Sequence, residues 1–237
     1  MDPLDRMVPI VRLGTVDSTQ LEARRWLGGP EAASTPQGGG RMFIAREQTA
    51  GRGRLGRAWQ SPPGGLWTTI AWNSPELQNR EGRESGAWIE RLGIRLGVAC
   101  LHVVAEATRD PVSSPDVLLK WPNDILMNGR KVCGLLVEVV GKWVLVGVGM
   151  NVNNAAPDVI RMGGIAAASL RECRGREFDL DRLSLDLREH VVQALRRDRL
   201  TPESLGFARA RLVGAPAEKL LEAAANARTE SRAGNDS

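Results

Sequence analysis

Residues 116–154, DVLLKWPNDILMNGRKVCGLLVEVVGKWVLVGVGMNVNN, constrain the fold more than any other part of the chain. Apolar, β-rich runs alternate there with very short polar breaks. Asn128-Gly129 lies between two such runs, and both residue types accept the φ > 0 backbone that a two-residue hairpin turn demands. Gly141-Lys142 reads as a second tight turn. The stretch is therefore expected to run strand, turn, short strand, hairpin, long strand, tight turn, strand. Pro122 forces a sharp exit after the first strand, leaving Lys120, Asn123 and Asp124 at its end. GVGMNV invites a dinucleotide-binding reading, but it lacks the third glycine and the following helix. Inside a strand, Gly147 and Gly149 instead mark close approach of a ligand to the backbone.

The remaining segments build around this meander. A strand over 9–14 passes into a helix that Asp17 or Ser18 can cap. GGPEAASTPQGGG, 28–40, reads as a mobile, breaker-rich loop. Strands are expected over 41–49 and 64–73. The longest helix, 84–108, carries Ile89, Leu92, Leu96, Ala99 and Val103 at helical spacing. His102 falls on or beside its apolar face and reads as a core or boundary residue. A helix over 179–200 is capped by Asp179 or Asp181, with His190 on its surface. Two groups of strands around one long helix predict an α+β fold with a mostly antiparallel sheet. At 237 residues the chain can bury one sizeable core. One unit is expected over 1–213, with 214–237 a frayed helix followed by disorder.

Composition narrows the function classes. The net charge of +4 comes mainly from arginine and permits an anionic ligand without demanding nucleic acid. Cys100, Cys133 and Cys173 are scattered, with neither disulfide-framework nor zinc spacing, so a reducing compartment and no resident metal are expected. The opening MDPLDRMVPIVRLG lacks the basic region and apolar core of a signal peptide. No apolar run approaches the ~20 residues that span a bilayer. A cytoplasmic protein without membrane association is the expectation.

EQTAGRGRLGRAWQSPPGG, 47–65, sits between two of the predicted strands. Gly51, Gly53 and Gly56 let backbone N–H groups approach a ligand. Arg52, Arg54 and Arg57 add planar, permanently charged donors suited to phosphate or carboxylate. A solvated basic surface or a nucleic-acid patch is the common alternative for such runs, but it needs no glycine spacing. Nor are the interleaved aromatic stacking positions of a nucleic-acid module present. Three other segments share ligand-binding character: DSTQ at 17–20, KWPND at 120–124 and GRKVCG at 129–134. Ser18, Thr19, Gln20 and Gln48 suit an uncharged polar head group such as a urea or amide. The arginines and Lys131 suit anions. One neutral set and one cationic set point to a small amphiphilic acid and a nucleotide.

GRGRLGRAW, KWPND and GRKVCGLLVE, in this order, closely resemble the biotin protein ligase family, the biotin–[acetyl-CoA-carboxylase] ligases or holocarboxylase synthetases. The resemblance runs from about residue 10 to 200. It implies the class II aminoacyl-tRNA synthetase-like fold of biotin and lipoate ligases. It also implies a reaction: biotin, ATP and magnesium give biotinyl-5′-AMP, and biotin then passes to one lysine of a biotin carboxyl carrier protein domain, such as that of acetyl-CoA carboxylase. By matched positions, Ser18, Thr19, Gln20 and Gln48 would hold the ureido ring. Arg52, Gly53 and Arg54 would fold over the valerate and phosphate. Lys131 would touch the biotin carboxylate and adenylate phosphate, and Gly134 and Leu136 would wall the pocket. Nucleotide contacts fall to Arg52, Arg54, Arg57, Lys120, Asn123 and Asn151. Asp124 is either the carboxylate that assists the attacking lysine or a turn residue. Trp59 and Trp121 read as packing that anchors the loops.

Two departures accompany the resemblance. Gln20 stands where the family often has asparagine, and the last residues lack the strand pattern of the family's SH3-like barrel. No winged-helix domain precedes residue 10, so no DNA binding is expected; a monomer and a homodimer are both open. A lipoate or octanoyl ligase of the same fold, and a truncated biotin-binding protein with little activity, are the alternatives.

Overall fold

The computed structural model describes residues 3–77, 85–109, 116–156, 165–214, 221, 222 and 225. Eight strands form one mixed sheet in the order β1-β2-β3-β7-β6-β5-β4-β8. These are β1 (Ile10–Val16), β2 (Gly40–Gln48), β3 (Leu66–Asn73), β4 (Val117–Lys120), β5 (Asp124–Met127), β6 (Arg130–Val140), β7 (Trp143–Met150) and β8 (Leu212–Val213). β1 and β2 pair parallel, as do β4 and β8; every other pairing is antiparallel.

The expected meander is present. Asn128 and Gly129 have φ of 51° and 72°, and Met127 pairs with Arg130 across them, giving a two-residue hairpin. Gly141, φ 56°, holds the first position of the second turn, with Val140 opposite Trp143.

Helices cover both faces. α1 (Pro3–Met7) leads into β1, and α2 (Thr19–Leu27) and α3 (Pro30–Ser34) link β1 to β2. α3 replaces part of the loop expected over 28–40, because Pro30 in the first turn has the φ a helix needs and lacks only an N–H that would go unused. On the opposite face lie α4 (Ser85–Thr108) and α6 (Leu180–Arg196), joined at the main core by α5 (Leu170–Arg174), α7 (Pro202–Arg209) and α1 through Leu170, Ala208, Leu4 and Met7. Ser18, not Asp17, caps α2, its hydroxyl accepting from the Gln20 N–H at 3.2 Å. Asp17 instead pairs with Arg25, whose guanidinium holds its carboxyl below the usual carboxylate range. Asp179 caps α6.

The main core lies between the sheet and α4 and α6, where Ile70, Trp72, Leu92, Leu96, Leu101, Val146 and Val148 are buried. A smaller cluster of Ala23, Phe43, Ala71, Trp143 and Leu145 lies under α2. His102 belongs to the α4–α6 side, its ring stacked on Phe207 at 4.0 Å between centroids. Burial, aided by the charges of His190 and Arg211, lowers its pKa to about 4. His190 departs from its expected surface place: it is half-buried, 6.0 Å from the His102 ring. Leu221, inside the segment read as a disordered tail, is 2% exposed and packs into the main core, so apolar burial continues past residue 213. Most of 215–237 lies outside the described residues.

Candidate active site

The site grows from side-chain alternation on β3, β7 and β6. Trp67, Gly149 and Gly134 stand opposite one another across the three strands, and Thr69, Gly147 and Leu136 form the next row. Their neighbours along the strands turn the other way, into the main core. The glycines leave a depression where larger residues would fill the face. Two side chains use that room. A Cβ on Gly149 would come within 2.5 Å of the Trp59 indole nitrogen, and one on Gly147 within 2.8 Å of Gln20 Oε1.

The resulting groove is lined by residues from all four of the segments singled out above. Ser18, Thr19, Gln20, Gln48, Arg52, Gly53, Arg54, Asn123, Lys131 and Gly134 all line it. Its neutral end is a hydrogen-bonded web. Gln48 Oε1 accepts from the Thr19 N–H at 2.8 Å and the Thr19 hydroxyl at 3.1 Å, while its Nε2 donates to Ser61 Oγ at 2.6 Å. The Thr69 hydroxyl lies 2.9 Å from Thr19 Oγ1 and 3.0 Å from Gln20 Oε1. These contacts fix neutral donors and acceptors in a largely buried wall.

The other end is cationic. Lys131 Nζ stands 2.6 Å from Asp124 and 5.0 Å from the centre of the Trp59 ring. Asp124, the first residue of β5, therefore faces a lysine. The arginine loop closes on itself as a small hairpin: the Gly53 N–H donates to Arg57 O at 2.7 Å and the Trp59 N–H to Gly51 O at 2.9 Å. Leu55 and Gly56 turn it with φ of 57° and 73°, and Leu55 is 88% exposed. Arg54 ties the loop to KWPND by donating to Asn123 Oδ1 at 3.0 Å. Trp59 meets Trp67 edge-to-face at 6.5 Å, packing as expected, and it lines the groove as well. Trp121 packs against the main core.

Four expected residues do not line the groove; Asp124 is the nearest, reaching it through its 2.6 Å pairing with Lys131. Arg57 is exposed on the far limb of the loop hairpin. Lys120 pairs in register with Asp124 from the neighbouring strand without lining the groove. Asn151 is 1% exposed, and its Oδ1 accepts from Asn154 at 3.0 Å. Conversely, the sequence assigns no role to Thr68 or Thr69, nor to Glu138, the last residue of GRKVCGLLVE. The two hydroxyls in the otherwise apolar LWTTIAW run are the signal that would have found the threonines. Among the described residues, no group of three or more His, Cys, Asp or Glu side chains is placed to hold a metal ion. Among them, too, no helix is long and apolar enough to cross a membrane.

Sheet, flanking helices and groove define an α+β catalytic domain of biotin protein ligase type. A biotin protein ligase from Leishmania major in complex with biotinyl-5-AMP superposes with a TM-score of 0.66 at 27% identity, covering 85% of this chain and 81% of that one. The Aquifex aeolicus biotin protein ligase in complex with biotin and ATP gives 0.62 at 30% identity, covering 78% and 69%. The chain belongs to the biotin/lipoate A/B protein ligase family, whose model matches residues 31–153. The biotin–[acetyl-CoA-carboxylase] ligase of Paracoccus denitrificans is 32% identical over 208 residues, spanning 83% of this chain and 75% of its own length. Against the Bacillus subtilis bifunctional ligase/repressor BirA, 32% identity extends over 149 residues, which is 41% of that relative's length.

Proposed function

We propose that this chain is an ATP-dependent biotin protein ligase, making biotinyl-5′-AMP and passing biotin to a lysine of a biotin carboxyl carrier domain. The observation that carries the reading is the joining, over one glycine floor, of a neutral hydrogen-bonding wall and a cationic end. A urea ring presents N–H donors and a carbonyl acceptor, and Ser18, Thr19, Gln20, Gln48 and Thr69 match both kinds. Biotin's carboxylate and the nucleotide's α-phosphate would then meet Lys131, Arg52 and Arg54. The carboxylate oxygen attacks the α-phosphorus and pyrophosphate leaves. Cations fixed beside that centre offset the charge that accumulates there. Magnesium enters as the companion of the ATP phosphates, part of the substrate.

Transfer to the carrier needs an uncharged amine, while a free lysine with pKa ~10.4 is almost wholly protonated near neutral pH. Asp124 is assigned to take that proton as nitrogen attacks the acyl carbonyl and AMP departs. Its pairing with Lys131 supports the assignment, because the arriving adenylate offers Lys131 another anion and so frees the carboxylate. Arg57, Lys120 and Asn151 are left to the nucleotide's outer parts. The test is incubation with ATP, magnesium and a biotin carboxyl carrier domain, with biotin or lipoate in parallel, followed by mass measurement of the carrier. A gain of one biotinyl group is expected. A carrier that gains lipoate and no biotin would overturn the reading in favour of the lipoate branch.

A further inference from the structure

We infer that Glu138, with Arg24 beside it, is a positioning residue that fixes the orientation of the Gln20 amide, and so makes the groove selective for a head group bearing N–H donors. The inference rests on the ligase reading above and concerns how that site would choose its acid.

Gln20 is 3% exposed, and its amide has two chemically different ends that the groove must distinguish. Nε2 donates to Glu138 Oε2 at 2.9 Å. An ionised carboxylate only accepts hydrogen bonds, so the nitrogen end must face it. Oε1 is thereby directed toward the Thr69 hydroxyl and the space above Gly147, both part of the groove lining. Thr69 by itself decides nothing, because a hydroxyl donates and accepts equally well and would satisfy either amide orientation. Arg24 follows Gln20 by one helical turn on α2. Its Nη2 and Nε donate to the same Glu138 oxygen at 3.0 and 3.3 Å, which balances the carboxylate's charge and holds it in place. Glu138 reaches this point because it lies on β6 two residues beyond Leu136 and faces the same side of the sheet.

A fixed acceptor in a buried wall favours ligands that bring a donor to it and penalises those that leave it unmet. The ureido ring of biotin carries two N–H groups. The dithiolane ring of lipoic acid carries none. Glu138 and Arg24 therefore act on selectivity through Gln20, without touching the acid.

Calorimetric titration of the parent chain and of Glu138→Gln with biotin and with lipoic acid tests this. Glutamine at 138 can accept or donate, so it no longer dictates which end of Gln20 faces the groove. Biotin affinity should fall about tenfold and lipoic acid affinity should stay unchanged, with the Gln20 side-chain amide resonances shifted in the ligand-free protein. Arg24→Ala, on the outer side of α2, should move the same ratio in the same direction by about threefold. It carries the test if Glu138→Gln fails to fold. Equal losses for both acids would show that Glu138 only maintains the groove's shape, and unchanged biotin affinity would show that no lock exists. A parent chain that binds lipoic acid and not biotin overturns the ligase reading together with this one, an outcome distinct from either.

Discussion

The two faces of the central sheet are made by the same strands and are put to different uses. On β7, Val144, Val146, Val148 and Met150 fill the main core beneath α4 and α6. The residues between them, Leu145, Gly147 and Gly149, run from a small apolar cluster into the floor of the groove. β3 repeats the division, with Ile70 and Trp72 on one side and Thr69 on the other. One face gives up burial to make room for a ligand. It can do so because the opposite face and the ladder hold the strands straight, so a glycine leaves space without loosening the backbone. Stability and recognition are thus separated by side-chain alternation alone.

The largest expected effect lies on the groove face. Lys131→Ala should reduce adenylate formation by about 10²–10³-fold, the scale on which a fixed transition-state donor contributes. The melting temperature should barely move, since the side chain stands at the rim with Asp124. A pyrophosphate-release assay beside a thermal melt checks both, and a large drop in melting temperature would break the separation of the faces.

On the other face, Leu101→Ala should lower unfolding free energy by about 2–4 kcal/mol, the cost of a cavity at a fully buried leucine. Biotin affinity of the folded protein should remain as in the parent. Denaturant titration and calorimetry together give the two numbers. A matching loss of affinity would show that the groove feels the core packing behind it.

Gly147→Ala sharpens the comparison. The added methyl falls 2.8 Å from Gln20 Oε1, so the amide must shift. Biotin binding should weaken by about tenfold, or about 1.4 kcal/mol. Stability should fall by less than for Leu101→Ala, because alanine suits an extended strand and only the Gln20 amide, held by Glu138 and Thr69, has to give way. An unaltered dissociation constant would mean that Gln20 is not held where the ligand binds.

The smallest effect is a pH dependence confined to the α4–α6 face. Burial lowers the His102 pKa from an ordinary value near 6.5 to about 4. The unfolded chain then binds more protons between those values, so stability is full above pH 6.5 and declines as pH falls toward 4. A loss of about 1 kcal/mol at pH 5.5 relative to pH 7.5 is expected from this residue. Comparing denaturation of the parent and His102→Phe at the two values isolates it. An equal acid slope in both proteins would assign the dependence elsewhere.

Turns, caps and strand alternation were legible in the chain because each is decided by neighbours in sequence. Asn128-Gly129 could only turn as it does, since both φ values are positive and few other residues accept that. Gly147 and Gly149 announced an opened floor because glycine in an interior strand gives up the side chain that would fill that face. The motif segments announced the groove's chemistry because charge and hydrogen-bonding capacity belong to residue type.

Other features depended on partners far away in the chain. Glu138 sits among valines in β6, and nothing local says that it meets Gln20 and Arg24, more than a hundred residues earlier. Asn151 follows a glycine strand in sequence, and nothing local says that its Oδ1 accepts from Asn154 within the fold. The parallel pairings of β1 with β2 and of β4 with β8 carry no turn signature, since parallel neighbours are joined by long crossovers. By itself the sequence determined which backbone could bend, which faces were apolar and which chemistry was on offer. Tertiary structure alone decided which of those groups meet, because a hydrogen bond or ion pair exists only once distant strands are in register and their side chains share one face.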